Sequence, residues 1–443
     1  MVLPNGLEFL VIFLAIAEAG LVAAPLNPAY KTAELRIAFE DIQPRAIVVE
    51  GSHPAVIEAA AGLSLAIWPA YVESSGAVSL KGVPQSSRSI AGNPAGDDVA
   101  LLLNTSGTTS RPKGVPLTHT NVLRSALNIA SHYGLTSADR SLVVMPLFHG
   151  HGLIGATLAT LASGGAAIVP PRFSASQFWG LFRKHGATWY SAVPTIHEVL
   201  LERAGREGAP SRCARFIRSC SAALAPAVLA DLERRFEAPV LEAYGLTEAA
   251  HQVASNPLPP RPRKPGTVGF GVGAELSIID EMGRHLPANR PGEVVVRGLN
   301  IMRGYRNDPE ATAAAFIDGW LRTEDGGVLD DDGYLALTGR IKELINRGGE
   351  KIAPSEIDNV LLEHPAVAEA VAFGVPDAKY GEEVWAAVVL KGDCDAERLQ
   401  AFCRTRLADF KVPKVIRITS ALPKNAAGKV ARRDLAALFA RQS

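Results

Sequence analysis

Cysteine is scarce in this sequence, aromatic side chains are few, net charge is absent, and no apolar run is long enough to cross a bilayer. The four cysteines, Cys213, Cys220, Cys394 and Cys403, form no CxxC pair and no metal-type spacing, which excludes a disulfide framework and a zinc site. Reduced thiols in a cytoplasmic protein are the expectation. The 45 basic and 45 acidic side chains cancel, so no global field draws the chain to nucleic acid or to an anionic membrane. A small, locally recognised ligand is the better starting point. The apolar run 9–17 is bracketed by Glu8 and Glu18, with no basic residue before Lys31. It lacks both the positive start of a signal peptide and the roughly 20 apolar residues of a spanning helix. It is expected as a buried helix that needs partners on every side.

What is present is apolar bulk. At 443 residues and 47% hydrophobic, the chain exceeds one compact core and should hold at least two domains. Between Val99 and Tyr244, strand-length apolar runs at 99–103, 142–145, 189–192, 216–219 and 240–244 alternate with helical patterns from about His119, after His151, and over 194–203 and 226–236. That alternation is the signature of βαβ units around a largely parallel sheet, with ligands at the loops leaving the strand ends. After Pro265, Gly, Asp and Pro thicken and short alternating strands such as 293–297 and 334–338 take over, predicting a β-rich, twisted or barrel-like part, with Asp330-Asp331-Asp332-Gly333 as a turn. Near Lys342 strand and helix alternate again. The expected fold is therefore α/β, with a large N-terminal domain over 1–341 and a small α+β domain over 342–443.

The most informative stretch is Asn104-Thr105-Ser106-Gly107-Thr108-Thr109-Ser110-Arg111-Pro112-Lys113-Gly114, a loop of hydroxyls and glycine directly after a buried strand. Glycines let backbone N–H groups approach phosphate oxygens, hydroxyls add donors, and a lysine neutralises charge. The loop reads as a phosphate cradle, with a solvated surface turn as the alternative if it stood alone. It lacks the GxxxxGK[ST] order, which disfavours a kinase or an ordinary P-loop ATPase.

It does not stand alone. Together with Tyr244-Gly245-Leu246-Thr247-Glu248, Gly333-Tyr334 through Thr338-Gly339-Arg340, Gly348-Gly349-Glu350-Lys351-Ile352, and Pro423-Lys424 with Gly428-Lys429, it resembles the ordered motifs of the adenylate-forming superfamily. That superfamily includes acyl-CoA synthetases, firefly luciferase and the adenylation domains of peptide synthetases, and the resemblance spans nearly the whole chain. Arg218-Ser219-Cys220-Ser221-Ala222 and Glu248-Ala249-Ala250-His251 are most similar to the oxalate–CoA ligases, near the coumarate–CoA ligases.

The resemblance implies ATP, Mg²⁺ and coenzyme A as co-substrates and cofactor, and it assigns roles residue by residue. Thr105, Ser106, Gly107, Thr108, Thr109 and Lys113 would hold phosphates; Ser221, Ala222 and Tyr244 would contact the adenosine; Thr247 would bond a phosphate. Glu248 is the natural Mg²⁺ ligand, since hard cations share carboxylate oxygen with nucleotide phosphate; alone it would be read as a helix-start residue. Asp325, in Thr323-Glu324-Asp325, would accept from the ribose hydroxyls with Arg340 completing the grip, although Glu324 stands where the family usually has glycine. Lys429 resembles the catalytic lysine of adenylation; from Lys411 onward the chain is basic with Asp434 its sole acid, so a phosphate-facing surface is expected and nucleic-acid binding is a weak rival. Lys342 stands at the family's hinge, and a swivel there would exchange Lys429 for the Gly348-Gly349 loop, whose bare backbone admits the pantetheine arm.

For the acid, Pro146-Leu147-Phe148-His149-Gly150-His151-Gly152 puts two histidines in a strand-to-helix loop, His149 matching the family's gating histidine. A fatty or aryl chain would leave His151, Ser219, Ser221 and His251 unpaired, whereas a small dianion satisfies them. Each histidine alone is more often structural, so this expectation depends on their convergence. Oxalate is the favoured acid. Another small or aryl acid, or a carrier-protein thiol as acceptor, is the alternative within the enzyme class. The family ordinarily carries further helix and strand before the position of Leu3-Pro4-Asn5-Gly6, so an N-terminally short member is expected, with an inactive nucleotide-binding homologue or a misplaced start as the other accounts.

Overall fold

The computed structural model describes residues 1–84, 93–105, 113–207, 214–424, 430 and 432–440. Its centre is a seven-stranded sheet in the order Phe270–Gly271, His251–Ser255, Val240–Leu246, Phe216–Ser219, Trp189–Ala192, Arg140–Val143 and Ala166–Ile168. From Val240–Leu246 outward the strands run parallel; His251–Ser255 turns back antiparallel. These strands are apolar on both faces, and the two-residue period divides them between two cores. Val143, Trp189, Phe216 and Leu241 enter one cluster, with Tyr133, Leu147 and Leu153. Leu142, Tyr190, Ile217 and Val240 enter another, filled by Phe178, Phe182, Leu200 and Phe236. The second cluster is supplied by the helices Ala175–Lys184, Pro194–Glu207 and Pro226–Phe236, two of which begin on a proline whose fixed φ suits the first turn.

Three expectations are corrected. The strand Val99–Asn104 is no member of the parallel sheet; it pairs antiparallel with Gly114–Thr118 as a separate two-stranded ribbon. A short loop can return a chain only antiparallel, because a parallel neighbour needs a longer crossover. The strand expected at 142–145 lies at Arg140–Val143, since Val144 and Met145 are buried but already leave the ladder ahead of Pro146. The helix Leu7–Glu18 buries Phe9, Leu10, Ile12 and Phe13 but exposes Leu7, Val11 and Leu14. Residues 7, 11 and 14 share a helical stripe that faces away from the core.

Beyond Pro265 the β-rich part is a five-stranded antiparallel sheet: Glu275–Ile279, Gly292–Arg297, Trp320–Leu329 and Phe316–Ile317 in order, with Leu335–Arg340 also on Trp320–Leu329. Register sets Asp325 opposite Arg340. The turn at 330–333 closes by the Gly333 N–H donating to the Asp330 carbonyl at 3.0 Å, with Gly333 at φ +78°. From Ile345 a further sheet forms in the order Glu350–Ile352, Ile345–Arg347, Gly381–Leu390 and Val367–Asp377, with Val415–Thr419 parallel to Gly381–Leu390. The helices Pro354–Leu362 and Ala396–Arg404 close a core of their own on it, including Ile357, Leu361, Val384, Val388 and Leu399. The last helix, Arg432–Ala440, is tied down by Arg432, which pairs with buried Asp358 at 2.5 Å and with Glu343 at 3.4 Å.

Candidate active site

The ends of the hydroxyl-rich loop are pinned to one another. The Thr105 N–H donates to the Lys113 carbonyl at 3.0 Å, and the Lys113 N–H donates to Thr105 Oγ1 at 3.3 Å. Ser106, Gly107, Thr108 and Thr109, expected to hold phosphate, lie outside the described residues, as does Lys429. Lys113 then faces a cavity of about 350 Å³ whose lining includes Glu248, Tyr305, Thr323, Arg340 and Lys342. Its Nζ sits 4.7 Å from the Tyr305 ring centre. The Tyr305 hydroxyl donates to Glu248 Oε1 at 2.8 Å, and burial, followed by that carboxylate, pushes the phenol far above its ordinary range. Glu248 is thus aimed by a neighbour and keeps oxygen directed to the cavity. No three His, Cys, Asp or Glu side chains cluster as metal ligands among the described residues. A magnesium ion would therefore share Glu248 with phosphate oxygens, a hard-oxygen set that such an ion accepts, and the residues fit it.

Tyr244, Asp325 and Arg340 form one linked group. The Tyr244 hydroxyl donates to Asp325 Oδ2; Arg340 Nε pairs with Asp325 Oδ1 at 2.9 Å, and Arg340 Nη1 donates to the Thr323 carbonyl at 2.9 Å. Burial first, then Asp325, raises the Tyr244 phenol well above its usual value, so it stays a donor. Glu324 sits at φ +58°, the left-handed region that favours glycine, and its carboxylate meets Lys342 Nζ at 2.6 Å. Lys342 itself lies in the short 3₁₀ turn Ile341–Glu343.

The chain passes from the turn Thr247–Ala249 through Ala250, at φ +48°, into His251, at φ +90°, and the second cluster begins there. His151 and His251 stack with ring centres 5.1 Å apart. His151 Nε2 meets Ser191 Oγ at 2.6 Å and its Nδ1 meets Ser221 Oγ at 3.0 Å. His251 Nε2 lies 2.9 Å from Arg218 Nη2. Burial, then His251 and Arg218 for His151 and Arg218 for His251, holds both imidazoles well below the ordinary histidine range, so they are neutral. His151 opens a π-helical segment, His151–Leu158, in which Thr157 Oγ1 donates back five residues to the Gly152 carbonyl at 2.8 Å. A β-carbon on Gly155 would lie 2.5 Å from the His251 ring, so the glycine lets this segment approach.

The structure therefore brings Lys113, Glu248, Arg340 and Lys342 around one cavity, links Tyr244 and Asp325 to Arg340, and gathers His151, Ser221 and His251 at the same ends of the parallel strands. Ser219 ends its strand with Oγ buried and unbonded. Thr247 stands in the turn between the clusters; Ala222 is exposed beside Ser221; His149 packs its ring on Phe148 at 4.6 Å. Gly348 and Gly349, at φ +61° and +93°, make the turn between Ile345–Arg347 and Glu350–Ile352 and do not line the cavity. Sequence reasoning gave no role to Arg218, Ser191 or Tyr305. Arg218 did carry a signal: an arginine inside a four-residue strand with every position buried needs a reason to be there. Nothing local marks Tyr305.

The family model for AMP-binding enzymes matches residues 1–306, and the model for the AMP-binding enzyme C-terminal domain matches residues 356–429. An oxalate–CoA ligase of Arabidopsis thaliana is 49% identical over 98% of this chain and 87% of its own length. An oxalate–CoA ligase of Saccharomyces cerevisiae is 45% identical over 99% of this chain and 86% of its own. Among solved structures, ATP-bound MatB from Rhodopseudomonas palustris superposes with a TM-score of 0.89 at 32% identity, covering 98% of this chain and 87% of that one.

Proposed function

The chain belongs to the AMP-binding, adenylate-forming enzymes, and from that premise we propose that it is an ATP-dependent carboxylate–CoA ligase whose acid is oxalate. The observation that carries the acid is the polar cluster of buried His151 and His251 with half-buried Ser221 and, beside it in the chain, buried Ser219, in which His251 follows Glu248 by three residues. Such lining suits a small, doubly charged acid and would strand its polar groups against a fatty or aryl chain. The oxalate–CoA ligases among its relatives support the same choice.

The reaction needs two displacements, because a carboxylate has no useful leaving group. In the first, a carboxylate oxygen attacks the α-phosphorus of ATP and pyrophosphate leaves, giving a mixed anhydride. In the second, the CoA sulfur attacks the carbonyl carbon and AMP leaves with the bonding electrons. Lys113, with Thr105, Ser106, Gly107, Thr108 and Thr109, is assigned to the phosphates, Tyr244, Ser221 and Ala222 to the adenosine, and Asp325 with Arg340 to the ribose. Thr247 bonds phosphate, and Glu248, aimed by Tyr305, would hold magnesium, which when bound neutralises phosphate charge. Lys429 stabilises the charge that builds at the α-phosphate during the first displacement. The unit over 342–443 then turns about Lys342 so that Gly348 and Gly349 pass the pantetheine arm, with His149 gating its path.

Among the described residues no helix is long and apolar enough to cross a membrane. The unpaired thiols of Cys220, Cys394 and Cys403 suit a reducing compartment, and the cytoplasm is the setting we propose. Pyrophosphate release measured with CoA and a panel of oxalate, malonate, acetate, coumarate and a fatty acid tests the assignment. Oxalate should give the highest kcat/KM; a coumarate or fatty-acid preference would remove it.

A further inference from the structure

Arg218 is fully buried, and each side chain it bonds is neutral. Among the described residues no carboxylate pairs with it. An uncompensated buried cation is costly unless something with negative charge joins it. A guanidinium can only donate, so it fixes the direction of each bond it makes itself. Arg218 Nη1 donates to Ser191 Oγ at 2.8 Å, which leaves the Ser191 hydrogen available to His151 Nε2, 2.6 Å away. In that arrangement the His151 hydrogen sits on Nδ1, facing Ser221 Oγ at 3.0 Å, and the Ser221 hydrogen is left to donate onward. Arg218 Nη2 donates to His251 Nε2 at 2.9 Å, which puts the His251 hydrogen on Nδ1, an atom with no hydrogen-bond partner among the described residues. Two relays thus leave one cation and end in donors, while Ser219 Oγ, next along the chain, is buried without a partner.

We propose that Arg218 is a positioning residue that commits this pocket to acids bearing a second anionic group, which docks on the donors of Ser221 and His251 while the first carboxylate reacts. This rests on the ligase assignment above and adds to it the origin of acid selectivity. Were Arg218 only a tie between strands, its loss would weaken the turnover of all acids alike.

The test uses the full chain as wild type, R218Q, R218K and S191A, with pyrophosphate release followed for oxalate and acetate, alongside the KM for ATP and thermal melting. R218Q removes the charge and should lower kcat/KM for oxalate by about a hundredfold, the scale for stripping the partner from a desolvated charge, with acetate and the KM for ATP changed by no more than about threefold. S191A keeps the charge and breaks the His151 relay, for an expected loss of about tenfold on oxalate alone. R218K, which cannot feed both relays in their fixed directions, should fall between them. A folded R218Q with an unchanged oxalate-to-acetate ratio overturns the proposal; if R218Q does not fold, an unchanged ratio in S191A does so. A wild type that prefers malonate, with the preference lost in R218Q, removes oxalate from the assignment and upholds the role of Arg218. A wild type that prefers acetate overturns both.

Discussion

Glu324 shows what one departure from a family pattern costs. At φ +58° a side chain is strained by about 1 kcal/mol, while its exposed ion pair with Lys342 returns little. E324G relieves the strain and E324A keeps it while losing the pair. Thermal unfolding should therefore rank E324G at or above wild type and E324A below both, by about 1 kcal/mol between the two variants. The anomaly was legible in the sequence only through the resemblance, because nothing in Thr323-Glu324-Asp325 itself marks the position as one that wants glycine. Arg218 was harder to interpret: its meaning lies in partners at positions 133, 191, 251 and 252, which only the tertiary fold collects.

At the scale of elements, periodicity disclosed most of the central sheet because strands covered on both faces are nearly continuous apolar runs. It failed at Val99–Asn104, whose apolar pattern is that of a buried strand in either kind of pairing; the return through Gly114–Thr118 is decided by loop length and not by composition. Nor could it distinguish the π-helical segment from an ordinary helix, since a continuous apolar run fits either; the segment packs closely on His251 at Gly155. That packing makes a sharp prediction. G155A would place its β-carbon 2.5 Å from a ring already held between His151 and Arg218. Overpacking there should cost about 1–3 kcal/mol in urea unfolding and lower kcat/KM for oxalate by at least about tenfold, with the KM for ATP kept within about twofold.

Across the whole molecule, two carboxyls, Glu242 buried and Glu198 half-buried, set an unusual dependence on pH. Burial pushes Glu242 up to about 7, against an opposing N–H bond from Gly266, and pushes Glu198 up to about 7 with Glu369 adding to it. A folded value above the ordinary 4.5 means that their contribution to stability is complete below pH 4.5 and is lost as pH rises through 7. E242Q should therefore leave the melting midpoint unchanged at pH 4.5 and raise it at pH 8, by about 2 kcal/mol in stability. A lower midpoint at pH 8 would contradict this. The proposed alternation of the two units makes a separate prediction: K429A should slow adenylation by two to three orders of magnitude, about 3–4 kcal/mol, while CoA attack on preformed oxalyl adenylate changes by less than about tenfold. Equal loss in both half-reactions, measured by single-turnover quench, would count against that division of labour.

The strap from Arg432 to Asp358 and Glu343 joins the final helix to the residue beside Lys342. The tail end of the chain is therefore anchored beside the proposed pivot, and a cut before Arg432 would leave Asp358 and Glu343 without the cation they share. Any tag used to purify this enzyme is best attached with that anchorage in mind.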